Sequence, residues 1–262
     1  MKTAIILGTG PSLTPEVLSA AREGQQRGLW QVFGMNHVWR DFPTLDGFIA
    51  CNPEYYETQW ERGLKELRCD KWSWDKKTAD RYSLKFIAGK WADGFSRDPN
   101  FIHYGHSSGF QLPQIAYHLG YRRLLLCGYD MKYAPNYDGK NHRIGSSPRH
   151  YFGEYKEPQL NHWPSVKVKD GVHIELIEQF EKVKRINTDV EILNCSIGSA
   201  MTCFPIVPLT EILNGRHNLR SSEVQPGLGR RSARNTLRLG IKNRSDKTAA
   251  AVDTDADRQV QH

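Results

Sequence analysis

The sequence predicts an α/β fold, a Rossmann-like doubly wound and mostly parallel sheet with a lid-like insertion. Three observations predict it. Short apolar strands alternate with helical segments through the first 200 residues, as crossover connections between parallel strands require. An apolar run near the N-terminus, "AIILGTGPSL", stops at two glycines, a proline and a serine before a helix. A later unit, "SSGFQLPQIAYHLGYRRLLLCGYD", reads as a helix, a glycine stop and a strand closed by a glycine.

In chain order, residues 3–8 ("TAIILG") read as a buried strand from their β-branched and apolar run. Residues 12–28 read as a helix with Leu13, Val17, Leu18 and Ala21 on one face. Residues 31–36 ("QVFGMN") and 45–52 ("LDGFIACN") read as strands, and 53–67 as an aromatic-rich helix. Residues 70–100 carry no clear period, with "SLKFIAGKW" as a strand inside them. Ser108 and Gly109 open the next helix, Pro113 is placed near its N1 position, Gly120 ends it, and 122–128 form the following strand. Residues 134–169 break the rhythm; their Gly, Pro, His and aromatic content suggests a lid. A helix follows with Asp170 as N-cap, then a final strand, "VEILNCS".

Composition narrows the class. The 262 residues allow one large domain, here 1–214, followed by a basic tail, 215–262, that reads as disordered. The tail holds ten Lys/Arg and five Asp/Glu, which is +5 of the net +7; residues 1–214 hold the remaining 26 and 24, or +2. The folded part is therefore nearly neutral; the tail reads first as solvated and without a role, with electrostatic contact to nucleic acid or an anionic surface as its alternative. Five scattered cysteines without a C-x-x-C pair argue against a disulfide framework and a zinc site, and Cys127 reads as a buried strand residue. With no signal-peptide pattern and no apolar run long enough to span a bilayer, the expected location is cytoplasmic, the host cytoplasm if the chain is phage-encoded. Oligomerisation is left open.

The chemistry is expected at strand ends. Gly8 and Gly10 allow a tight turn, and a helix N-terminus after Thr9, Pro11 and Ser12 would offer N–H groups to an anion such as a nucleotide phosphate. Neither the three-glycine dinucleotide fingerprint nor a G-K-[ST] P-loop is present. Asn36, Asn52, Ser107 with Ser108, and Asp130 stand after four strands, where ligands of parallel sheets bind. The structural alternative is that the glycines only shape a turn and the asparagines only cap helices.

The ordered set "IILGTGPSL", "VFGMNHVW", "GFIACNPEYY" and "SSGFQLPQIAYHLGYRRLLLCGYD" resembles the bacterial sialyltransferases of the Campylobacter type. It also resembles phage and bacterial Rossmann-like proteins with a G-x-G-P-S-L start, a set that includes archaeal-type 6-hydroxymethylpterin pyrophosphokinases. The likeness runs over roughly residues 4–210 and is most specific from Ser107 to Asp130. It implies a nucleotide-sugar transferase in which Gly8, Thr9, Gly10, Ser12, Asn36, Asn52, Ser108 and Gly109 face a CMP-sugar donor. Pro11, Ser107 and Asp130 join them by position. It further implies no metal or bound cofactor, tyrosine hydroxyls on the leaving phosphate, and a lid histidine that takes the proton of the acceptor hydroxyl.

Departures from the family are specific. Thr9 stands where the sialyltransferases have Asn, and Gly105 where they have an arginine. Tyr133 and Tyr137 are offset by one residue from the phosphate-facing tyrosines. The catalytic histidine position falls near Val168, so His162 is the first candidate base, with His150 and His173 as others; His173 could equally pack or cap. The leading expectation is single-step inverting sugar transfer to a hydroxyl. One alternative is Mg²⁺-dependent pyrophosphoryl or nucleotidyl transfer, for which Asp130 and Asp46 would be carboxylates to test. Another is a nucleic-acid-modifying or nucleic-acid-binding accessory protein acting through the tail.

Overall fold

Every residue of the first strand, Thr3–Leu7 (β1), is buried, which requires a central place in a sheet covered on both faces. The computed structural model describes residues 1–133, 150–153, 155–157, 160 and 167–216. The chain divides into two units, Met1–Arg220 and Ser221–His262; the described residues all belong to the first. The predicted tail therefore lies, from 217 onward, outside the described residues, as does most of the predicted lid.

After β1 come α1 (Pro15–Gln26), β2 (Gln31–Met35), α2 (Val38–Asp41), β3 (Gly47–Ile49) and α3 (Pro53–Gln59). Next are β4 (Asp70–Ser73), α4 (Lys76–Tyr82), β5 (Lys85–Phe86), β6 (Ala88–Lys90), β7 (Phe101–His103), α5 (Ser108–His118) and β8 (Arg123–Cys127). The hairpin β9 (Val168–Lys169) and β10 (Val172–His173) leads into α6 (Ile174–Ile186), β11 (Glu191–Asn194) and α7 (Leu209–Leu213). Seven strands form one parallel sheet in the order β11-β8-β1-β2-β3-β4-β5. The predicted Rossmann-like α/β class is thus borne out.

The strands read as continuous apolar runs because each face buries its own core. Ile5 and Leu7 of β1 join Leu125 and Cys127 of β8 on one side, with Leu18 and Ala21 of α1 and Ile212 of α7. Ala4 and Ile6 join Leu124 and Leu126 on the other, with Ile115 of α5 and Phe180 of α6.

Four local expectations are corrected. Helix α1 begins at Pro15, because the Thr14 side chain caps it by accepting from the Val17 N–H at 3.4 Å; Ser12 and Leu13 precede it. The segment predicted as one strand, "SLKFIAGKW", is two short strands in different sheets: β5 extends the main sheet and β6 pairs with β7. Pro113 sits in the interior of α5 rather than near N1. Its absent N–H would have served the Gly109 carbonyl, and the Tyr129 hydroxyl donates to that oxygen instead, at 2.9 Å. Asp170 does not cap α6. Asp170 and Gly171 have φ of 51° and 76° and form the two-residue turn between β9 and β10, as a D-G pair commonly does.

Candidate functional site at the strand-order reversal

The chain lays strands outward from β1 to β5, then returns to the other side of β1 with β8. Ligands of such sheets bind at the carboxyl ends where the order reverses. A cavity of about 410 Å³ opens there, beyond β1, β2, β3 and β8. It is lined by the expected Gly8, Thr9, Gly10, Pro11, Asn36, Asn52, Ser107, Ser108, Gly109, Asp130 and Tyr133. Ser12 is not part of the lining, and Tyr137 and His162 lie outside the described residues.

The glycine turn closes against β8. The Gly8 N–H donates to the Cys127 carbonyl at 2.7 Å and the Gly10 N–H to the Gly128 carbonyl at 2.9 Å. A Cβ on Gly8 would stand 2.6 Å from the Gly128 oxygen, and one on Gly10 would stand 2.0 Å from Asp130 Oδ2. The glycines therefore answer a close approach of two strand ends. Asp130 completes the closure: its carboxylate accepts from the Ser12 N–H at 3.2 Å and from the Ser12 hydroxyl at 2.8 Å. Burial raises the Asp130 carboxyl above its ordinary value, and the Ser12 bonds act against that rise.

The helix end that opens into the cavity is that of α5, not of α1. No residue of α1 lines the cavity, whereas Ser107, Ser108 and Gly109 do. Ser107 is the N-cap, and its hydroxyl accepts from the Phe110 N–H at 3.2 Å. The N–H groups of Ser108 and Gly109 make no hydrogen bond among the described residues. Together with the helix dipole they form an anion-seeking end. The Ser108 hydroxyl accepts from the Cys51 N–H at 2.7 Å, which ties the end of β3 to the start of α5. Asn36 adopts a left-handed backbone (φ 48°) directly after β2. Asn52 occupies the N-cap position of α3 without making a cap bond. The side-chain amides of both make no hydrogen bond to the described residues, so neither is spent as a cap.

Two histidines expected as alternatives line the cavity. His150 Nδ1 lies 3.0 Å from Thr9 Oγ1, and its ring stacks on Phe152 at 4.9 Å. The Tyr151 N–H donates to the Thr9 carbonyl at 2.9 Å, so this segment docks on the glycine turn. His173 precedes α6, with its ring 4.5 Å from that of Tyr133. The D-G hairpin places it there, since the Tyr133 N–H bonds the Gly171 carbonyl and the His173 N–H the Met131 carbonyl.

Sequence reasoning missed several lining residues. Tyr55 reaches the cavity from α3, where its hydroxyl accepts from Trp39 Nε1 at 3.0 Å and stands 2.7 Å from His37 Nδ1. Burial pushes the His37 imidazole down to about 4, so at neutral pH it is uncharged. Tyr129, Lys132 and His106 also line the cavity. For His106 a signal existed, because it directly precedes the "SSG" that was read as functional. Asp46 stands at the amino end of β3, the sheet edge opposite the cavity, and accepts from the Val32 N–H at 2.7 Å; it is not part of the lining.

No family model matches the chain, and neither curated proteins nor solved structures match it. Among the described residues, no helix is long and apolar enough to cross a membrane.

Proposed function

We propose that the chain transfers a sugar from a nucleotide-sugar donor, with CMP-sugars favoured, to a hydroxyl acceptor. The observation that carries this reading is the pair of unspent N–H groups, Ser108 and Gly109, at a helix end in the strand-reversal cavity. They suit the donor phosphate, and Lys132 adds a positive charge to the same lining. The amides of Asn36 and Asn52 suit the polar edges of a nucleoside. Tyr133 supplies a hydroxyl for the leaving phosphate, and His150 or His173 a base for the acceptor proton. In the proposed step the acceptor oxygen attacks the anomeric carbon, the bond to the donor phosphate breaks, and its electron pair leaves with the nucleotide. The protein's contribution is orientation and hydrogen bonding to the departing charge.

A thermal-shift and calorimetric screen tests this, using CMP, CDP, UDP, GDP, ATP and their sugars, with and without Mg²⁺. The expected result is a metal-independent shift with CMP and CMP-sugars; ligand at a hundredfold excess over Kd stabilises by about 2.7 kcal/mol. Absence of binding by any CMP- or UDP-sugar at millimolar concentration overturns the proposal. A shift seen only with ATP and Mg²⁺ transfers the site to phosphoryl chemistry.

A further inference from the structure

An aromatic platform adjoins the mouth of the cavity. Strands β6 and β7 run parallel, and the Tyr104 N–H continues their ladder by donating to the Lys90 carbonyl at 3.0 Å. Trp91 and Tyr104 therefore leave this small sheet side by side, with rings 5.2 Å apart. Trp91 is 65% exposed, the most exposed aromatic among the described residues. His106 also packs on Trp91, 4.7 Å ring to ring, and lines the cavity.

The platform is built rather than incidental. His106 is held at φ 63°, a region that costs a non-glycine residue energy, and it both packs on Trp91 and lines the cavity. Trp74 supports Tyr104 edge-on at 5.2 Å and donates its indole N–H to the Cys51 carbonyl at 2.7 Å. Gly89 admits the Tyr104 ring, because a Cβ there would stand 2.1 Å from it. The Trp91 indole N–H and the His106 ring nitrogens make no hydrogen bond among the described residues.

We infer that this platform seats a saccharide ring of the acceptor, an inference that rests on the proposed sugar transfer. A sugar presents an apolar C–H face to an indole and a rim of hydroxyls to its N–H and to an imidazole. A nucleic-acid strand would also need cations beside the stacked base for its phosphates. Lys90, adjacent in sequence to Trp91, instead places its ammonium 3.5 Å over the Phe101 ring. His106 belongs to both surfaces, so a ring on Trp91 adjoins the cavity that would hold the donor.

Saturation-transfer NMR on the full chain tests this, with lactose, cellobiose, maltose and a thymidine octanucleotide as probes in the presence of CMP. At least one disaccharide is expected to receive saturation. Trp91→Ala should weaken that binding about fivefold or more, while Trp91→Phe, which keeps a ring face, retains most of it. The CMP-induced thermal shift should be the same in Trp91→Ala as in the wild type. The inference is overturned if no disaccharide binds, if binding is unchanged in Trp91→Ala, or if only the octanucleotide binds in a Trp91-dependent way. Binding of CMP without any disaccharide removes the platform and leaves the proposed function standing. Trp91-dependent disaccharide binding without any nucleotide binding does the reverse.

Discussion

Asp130 brings a negative charge to the glycine turn from within the protein. Its carboxylate holds the Ser12 N–H and hydroxyl, so removal in Asp130→Ala leaves both without their acceptor and should cost about 1–3 kcal/mol in urea unfolding. Because burial raises its folded value, its titration stabilises the fold fully below the ordinary carboxyl value of 3.8 and loses that contribution as pH rises through the folded value. Measured against Asp130→Asn, wild-type stability should therefore fall with rising pH across that window. His37 runs the opposite way. Its folded value is depressed from 6.5 to about 4, so the contribution is complete above 6.5 and lost as pH falls toward 4. The full loss is about 3 kcal/mol, and His37→Gln should flatten the slope in denaturation series between those pH values. At this scale the polar residues in the turns after strands (Asn36, Asn52, Ser107, Ser108, Asp130) were legible in the sequence, because strand ends are. Tyr55 and Tyr129 were passed over, because their aromatic rings, one in α3 and one beside Asp130 after β8, read as core material.

Helix α5 shows how an element can depart from propensity without breaking. An interior proline strands the carbonyl four residues earlier, and here a tyrosine from the end of β8 serves it. Tyr129→Phe should cost about 1 kcal/mol, since the Gly109 oxygen loses its donor. In a Pro113→Ala background the restored N–H can serve that oxygen, so the same substitution should cost less than half as much. A double-mutant cycle by chemical denaturation reads this coupling directly. Five strands of the main sheet (β1, β2, β3, β8 and β11) were legible from their apolar runs, with ends shifted by up to three residues; β4, half polar in sequence, was not, and β5 was merged with β6. The interior position of Pro113 was not, because the rescue comes from across the fold. The D-G turn before His173 was legible in principle, but an N-cap aspartate competes for the same two letters.

At the scale of the molecule, the cavity draws on residues from Gly8 to Leu176, all within Met1–Arg220. A chain ending at Arg220 should therefore keep its nucleotide-induced thermal shift. Any affinity of the full chain for DNA should weaken in that variant, together with its salt dependence, because the removed residues 221–262 hold eight Lys/Arg and five Asp/Glu, +3 of the net charge of +7. The overall architecture was legible because alternation of strand and helix admits few topologies. The segment between β8 and the β9–β10 hairpin was not, since it follows neither period.

The central place of β1 also imposes a timetable on synthesis. Its neighbour on one side, β2, follows within about 30 residues, but β8 on the other side begins only at Arg123. At typical translation rates that interval lasts roughly 6–24 s. During that time the most apolar strand of the sheet presents an unpaired edge of backbone donors and acceptors, the feature through which strands of separate chains join. The growing chain must therefore shelter its first ten residues until the second half of the sheet is made.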